Sequence, residues 1–300
     1  MSVVEKAIRK LQEQKQQPGE PSAATGEVPQ LRPAPEAAPA YAPEGAPSQM
    51  PGIVLERDVL RAAGLLPPEE DASLLARQYR KIKHPLIAKA IGRGVPRAPK
   101  GYLIMMASAM AGEGKTFTAV NLALSLAMEK DLKVLLVDAD VAKPQLSHVL
   151  GLGTSPGLLD ALRDPQLDVE SLIRATDVPT LSFLPAGVGS EEATELLSSS
   201  RMEQIASILG HHDSRRIVVL DSPPLLQTTE SAALTHVCGQ IVVVVRADAT
   251  PQPVLLDALK TLEGHPAVSL VLNQSTRSVT SAYYYYGYGY GSERPNRDSA

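Results

Sequence analysis

What a chain like this can fold into is narrowed first by eight residues, Ala109-Met110-Ala111-Gly112-Glu113-Gly114-Lys115-Thr116. They follow an apolar run, Tyr102–Ala107, that reads as a buried strand. They precede a helical pattern with Phe117, Val120, Leu124 and Ala127 on one face. Strand, glycine-rich loop and helix in that order form a phosphate cradle: successive backbone N–H groups and a helix N-terminus converge on anionic oxygens. Lys115 then places its charge on the β- and γ-phosphates, and Thr116 offers its hydroxyl to Mg²⁺. Ala109 stands where such a P-loop usually has its first glycine, which is tolerable if φ stays negative there. A glycine-rich turn that merely caps a helix is the plainer reading, and the order of the flanking elements weighs against it.

Further apolar runs recur between helical stretches: Lys133–Val137, Thr180–Leu184, Arg216–Leu220, Gln240–Arg246 and Val268–Leu272. Continuous Val/Ile/Leu runs such as Ile241–Val245 suit strands covered by helices on both faces. The alternation predicts an α/β fold, a doubly wound and mostly parallel sheet. Two of the runs end in acid: Val137-Asp138-Ala139-Asp140 and Leu220-Asp221-Ser222-Pro223-Pro224. In open sheets of this type ligands bind beyond the carboxyl ends of the strands, so both clusters should meet the P-loop. Mg²⁺ takes few protein carboxylates, which suits Asp140 and Asp221 as holders, directly or through water. Asp138 is then left to orient or deprotonate a nucleophile. A single Asp at a strand end is more often a turn former; three in register with a P-loop are not.

Composition sets the outer limits. The 300 residues are 44% hydrophobic and 21% charged, enough for a sizeable core. One cysteine, Cys238, excludes a disulfide framework or a cysteine-based metal site within one chain. A formal net charge of −4 gives no reason to expect a nucleic-acid partner. No apolar run approaches the ~20 residues that cross a bilayer, and no signal peptide is expected. The chain therefore reads as cytoplasmic.

Along the chain, residues 1–16 predict an amphipathic docking helix with Val4, Ile8 and Leu11 on one stripe. That stripe either engages a partner or folds back on its own domain. Residues 17–52, rich in Pro, Ala, Glu and Gly, read as a disordered linker. Residues 53–72 read as a small docking element, 73–276 as the P-loop domain, and 277–300 as a flexible tail. Aromatic residues are scarce, yet Tyr283, Tyr284, Tyr285, Tyr286, Tyr288 and Tyr290 all lie in that tail.

The three nucleotide motifs with the tyrosine cluster resemble the bacterial tyrosine kinase family, most nearly the autokinases of exopolysaccharide loci. The opening Met1-Ser2-Val3-Val4-Glu5-Lys6-Ala7 resembles that branch too. The resemblance covers roughly residues 73–290. It implies a P-loop NTPase fold shared with the MinD/ParA-like ATPases. It also implies transfer of the ATP γ-phosphoryl group to the six tail tyrosines as phosphoacceptors. By the same resemblance Ala111, Gly112, Glu113, Gly114, Lys115, Thr116 and Phe117 line the phosphates. Thr116, Asp140 and Asp221 surround Mg²⁺, Lys115, Asp138, Asp140 and Asp221 carry catalysis, and Asp138 is the candidate base. Asn273 resembles the family's base-reading residue; a simple strand terminator is the alternative. Implied partners are further copies in a ring, a separate membrane-embedded polysaccharide chain-length regulator as activator, and a phosphotyrosine phosphatase. Recruitment would be to the inner face of the cell membrane.

The sequence also departs from the family. Where members often show Glu-x-x-Arg-x-x-Arg for ring contacts, this chain has Arg77, Arg80 and Lys83. The basic pair after the second aspartate is reduced to Ala142-Lys143.

Two other functions fit parts of the chain. A positioning or partitioning ATPase usually carries an extra Lys five residues before the P-loop Lys, where this chain has Met110. A nucleotide-binding scaffold of a polysaccharide export machine would not need every acidic residue intact. Without a P-loop, the tyrosine cluster would read as a sticky tail or a stacking platform. Beside one, a tethered phenol reaches an effective concentration that can be in the mM range. The basic stretch Arg77–Lys100 suits a subunit contact, an anionic-lipid contact or a solvated helix face. The histidines show no metal-ligand spacing. Cys238 reads as a small buried apolar side chain.

Overall fold

The computed structural model describes residues 52–189, 191–211 and 215–275. The predicted helix 1–16, nearly all of the linker and the six tail tyrosines lie outside the described residues.

Seven strands form one sheet: β1 (Leu103–Ser108), β2 (Lys133–Asp138), β3 (Arg174–Ala175), β4 (Leu181–Leu184), β5 (Arg216–Asp221), β6 (Gln240–Arg246) and β7 (Val268–Asn273). Their order is β3-β4-β2-β5-β1-β6-β7, every pairing parallel except β3 with β4. All six predicted strands are present, with ends shifted by no more than one residue. The two-residue β3 is an addition that no periodicity could signal. Because side chains alternate across a pleat, each central strand feeds two cores. Leu103, Met105 and Ala107 of β1 enter one, Ile104 and Met106 the other. The middles of the central strands are thus apolar on both faces, which is why runs such as Ile241–Val245 are continuous.

One face is covered by α1 (Arg57–Ala62), α2 (Ala72–Ile91), α3 (Lys115–Ala127) and α4 (Gln145–Val149). The other is covered by α5 (Leu158–Arg163), α6 (Ala193–Leu197), α7 (Ser200–His211), α8 (Thr229–Val237) and α9 (Gln252–Lys260). Helices on both sides of a parallel sheet make the fold doubly wound, as the pattern predicts.

The segment around α1 packs on this body. Leu55, Leu60, Leu65 and Leu66 are buried in the same core as α2 and α3. Ile53 pairs with Thr176 as a bridge beside β3, and the Leu55 N–H donates to Asp177 Oδ1 at 3.0 Å. Among the basic residues of α2, Lys83 is buried and its ammonium is used inside the chain. Nζ donates to the Ser125 carbonyl at 2.7 Å and meets Glu129 Oε1 at 2.7 Å. Arg77 and Arg80 are exposed. No helix among the described residues is long and apolar enough to cross a membrane.

Candidate functional site

The site is set by strand register. Asp138 and Asp221 are direct partners at the carboxyl ends of β2 and β5, and Asp221 also pairs with Met106 of β1. The loop that follows β1 is therefore delivered to the same edge. Residues in register on parallel strands project to one face, so the two aspartates stand side by side without any search by flexible loops.

The loop has the shape its glycines allow. Gly112 and Gly114 have φ of +83° and +88°, a region that L side chains rarely adopt. A Cβ on Gly114 would lie 2.0 Å from Asn273 Nδ2. Ala109 is absent from the described positive-φ residues, so negative φ permits alanine there as expected. Gly114 caps α3, and Thr118 Oγ1 donates to its carbonyl at 2.8 Å.

Lys115 is buried, and its Nζ lies 3.1 Å from Asp221 Oδ1 and 3.6 Å from Asp140 Oδ2. One ammonium thus serves two carboxylates. Asp138 is fully buried. Its Oδ2 accepts from the Ser147 N–H at 2.8 Å and from Ser147 Oγ at 2.7 Å, while Oδ1 has no partner. Burial first, then the negative charge of Asp221, pushes the Asp138 carboxyl up to about 7. Burial also raises Asp140, opposed by the nearby Lys115.

The predicted residues Lys115, Asp138, Asp140 and Asp221 come together here. Thr116 and Phe117 occupy the first turn of α3, both partly exposed, beside Lys115. Asn273 ends β7, and its Nδ2 donates to the Glu113 carbonyl at 2.9 Å. Sequence reasoning missed two contributors. Ser147 holds Asp138 from nine residues downstream on a short helix, and Thr250 hydrogen-bonds Glu113. For Thr250 the available signal was its place just before Pro251 at a helix start, which suggests a cap and nothing more. Tyr79 and Tyr102 are buried, and burial pushes the Tyr79 phenol up to about 12, so neither offers an accessible hydroxyl.

The arrangement fits a nucleotide and a hard divalent ion. Two glycines leave the loop amides uncovered, and the oxygen donors beside them are the Asp140 and Asp221 carboxylates and the Thr116 hydroxyl. Among the described residues no three acidic, histidine or cysteine side chains form a ready metal cage.

Comparison with known proteins points the same way. A family model described as "AAA domain" (AAA_31) matches residues 101–263. Tyrosine-protein kinase YwqD of Bacillus subtilis is 31% identical over 182 residues, covering 60% of this chain and 72% of that protein. Tyrosine-protein kinase Ptk of Acinetobacter johnsonii is 34% identical over 171 residues, covering 55% of this chain. The match spans only 22% of Ptk's length. Among solved structures, the VpsO kinase domain superposes with a TM-score of 0.56 at 28% identity, covering 69% of this chain and all of that one. With a lysine held between the strand-end aspartates, and that likeness running through the P-loop domain, the chain belongs to the bacterial tyrosine kinase family of P-loop proteins.

Proposed function

We propose that the chain is an ATP-dependent protein-tyrosine autokinase of an exopolysaccharide locus, acting on Tyr283, Tyr284, Tyr285, Tyr286, Tyr288 and Tyr290. The observation that carries this reading is Lys115 Nζ held within 3.1 Å of Asp221 and 3.6 Å of Asp140, directly after the glycine loop. A lysine directly after such a loop reaches the β- and γ-phosphates of a bound triphosphate.

Phosphoryl transfer passes through a loose transition state, so positioning and charge neutralisation do most of the work. Amides of Ala111, Gly112, Glu113 and Gly114 bind the phosphates, and Lys115 neutralises the group in transfer. Thr116, Asp140 and Asp221 would hold Mg²⁺, which would supply charge neutralisation to the phosphates. Asp138 takes the phenolic proton. Its carboxyl, pushed up to about 7, is matched to accepting a proton near neutral pH, where a free phenol of pKa ~10 is a weak nucleophile. Ser147 fixes one oxygen, which leaves Oδ1 as the acceptor. The O–P bond to the leaving ADP breaks as the tyrosyl O–P bond forms.

Each phosphate adds about −1.5 to −2 charge to the tail, enough to repel acidic neighbours and loosen an assembly of unmodified copies. A ring of copies, a membrane-embedded chain-length regulator as activator, and a phosphatase complete the cycle. These place the chain at the inner face of the membrane. Because Lys83 is bonded to Ser125 and Glu129, ring contacts through α2 fall to Arg77 and Arg80.

The test is to incubate the full chain with ATP and Mg²⁺ and map phosphotyrosine by mass spectrometry. Modification should fall within residues 283–290 and vanish in Lys115→Met. Hydrolysis of ATP with an unmodified tail would instead favour a positioning-type ATPase.

A further inference from the structure

The residues joining α2 to β1 and those joining α3 to β2 lie at the amino ends of the strands, the edge opposite the phosphate loop. Both connections are fixed by hydrogen bonds or ion pairs to the body. Gly92, at φ +76°, ends α2, and the Arg93 N–H donates to the Ala88 carbonyl at 2.9 Å. The Ala98 N–H returns to the Lys89 carbonyl at 2.9 Å, and Gln240 Nε2 donates to the carbonyls of Leu86 and Gly101. The two connections are neighbours. Glu129 is held below the usual carboxylate range by its hydrogen bond to Lys83, and further by the charges of His84 and Arg93. Three apolar side chains of this corner are nevertheless left in solvent: Ile91 and Val95 are each 44% exposed, and Met128, just past α3, is 81% exposed. Around them Arg93, Arg97, Lys100 and Lys130 are exposed and form no ion pair among the described residues. Asp131 is the exposed acid of the two connections, because the Glu129 carboxylate is already paired with Lys83.

A single exposed apolar residue is ordinary, but three inside a collar of unpaired cations form a surface with two demands. We infer that this corner is a lipid-docking surface: its arginines and lysines meet the anionic headgroups of a bilayer while Ile91, Val95 and Met128 enter the boundary beneath them. Charge complementarity selects that partner, since unpaired cations gain most at a sheet of negative charge. The apolar tips need a nonpolar layer just under that charge, and a bilayer interface supplies one within about 5–10 Å. An acidic protein segment would answer the cations but offers no such layer to tips standing on two separate connections. Docked this way, the chain turns its phosphate loop away from the bilayer, because a six-residue strand such as β1 separates the two edges by roughly 20 Å. The nucleotide site stays open to solution. This goes beyond the kinase reading, in which a regulator protein makes the membrane attachment, and does not depend on it.

The experiment is co-sedimentation of the full chain, without nucleotide, with vesicles of phosphatidylcholine alone or carrying about 30% phosphatidylserine. The chain should bind the phosphatidylserine vesicles far better, and raising the salt to about 0.5 M should release most of it. One variant combines Arg93→Gln with Arg97→Gln. At about fivefold per basic residue, its binding should weaken on the order of 25-fold. A second combines Ile91→Ser, Val95→Ser and Met128→Ser and should weaken binding about tenfold or more, because the apolar contribution is lost while the charge is kept. A third, Lys143→Gln with Arg163→Gln, removes the same charge beyond the carboxyl ends of the strands and should bind as the unaltered chain does. All the altered residues are exposed, so melting temperatures should stay together; should the serine variant melt early, the arginine variant and the salt series decide. Absence of binding to phosphatidylserine vesicles would overturn the inference and leave this corner to an acidic protein. Equal binding to both vesicle types would overturn it too. So would full binding by the arginine variant, or equal loss in the Lys143/Arg163 control, since either places the contact elsewhere on the chain. No ATP enters the assay, so failure here leaves the kinase reading untouched, and an unmodified tail leaves this inference untouched.

Discussion

Asp138→Asn should make the nucleotide-free protein more stable at pH 8 while changing little at pH 4. Asp138 is fully buried, with one oxygen held by Ser147 and the other unpartnered beside Asp221. Its carboxyl lies at about 7 in the fold, against an ordinary value of 3.8. The folded state therefore binds a proton that the unfolded chain has already released. The contribution of the group is fully present below about 4 and is lost as pH rises through about 7. At ~1.36 kcal/mol per pH unit the interval allows at most ~4 kcal/mol. A neutral asparagine keeps an oxygen for both Ser147 donors and places an amino group near Asp221, so it escapes that loss. Urea denaturation of both proteins from pH 4 to 8, with EDTA present, gives the two curves. The wild type should fall relative to the variant by a few kcal/mol over that range. Parallel curves would instead mean that Asp138 ionises in the fold as freely as in the unfolded chain.

Three further outcomes follow from single contacts. Lys83→Met removes the donor to the buried Ser125 carbonyl and should lower stability by about 1–2 kcal/mol in urea melts, most of it from that carbonyl. Its other partner, Glu129, is 39% exposed and adds little. Gly114→Ala forces a side chain to φ +88° and a Cβ to within 2.0 Å of Asn273 Nδ2. It should abolish ATP binding in calorimetry, and retention of wild-type affinity would disprove the close approach. Cys238 is buried, and burial pushes its thiol up to about 12. It should resist alkylation in the native protein and react on unfolding, as read by intact mass.

Most of the fold was legible because a two-sided parallel sheet leaves a one-dimensional trace. Runs such as Ile241–Val245 have no polar face to interrupt them, and their ends coincide with the strands within a residue. The P-loop and its three aspartates were legible for a related reason. Sequence-local motifs at strand ends are gathered by the sheet itself, and the Asp138–Asp221 register needs no loop to be predicted. What stayed hidden depends on long-range partners with ordinary residue types. Ser147, Thr250 and Lys83 are common surface residues by composition, and only the packing of α4, α9 and α2 turns them inward. The basic stretch is the instructive case. A run without acids reads as solvated, yet its Lys83 is buried because Glu129 and the Ser125 carbonyl meet it from α3 and just beyond its end.

In the proposed reaction the γ-phosphoryl group goes to the chain's own phenols and not to water. The direct measurement is the ratio of ADP released to phosphotyrosine formed, followed in one reaction of the full chain with MgATP. It should be compared with a variant in which all six tail tyrosines are phenylalanine. A ratio near one is expected for the first turnovers, with almost no ADP from the variant. ADP accumulating at the same rate from both proteins, with the tail unmodified, would contradict it.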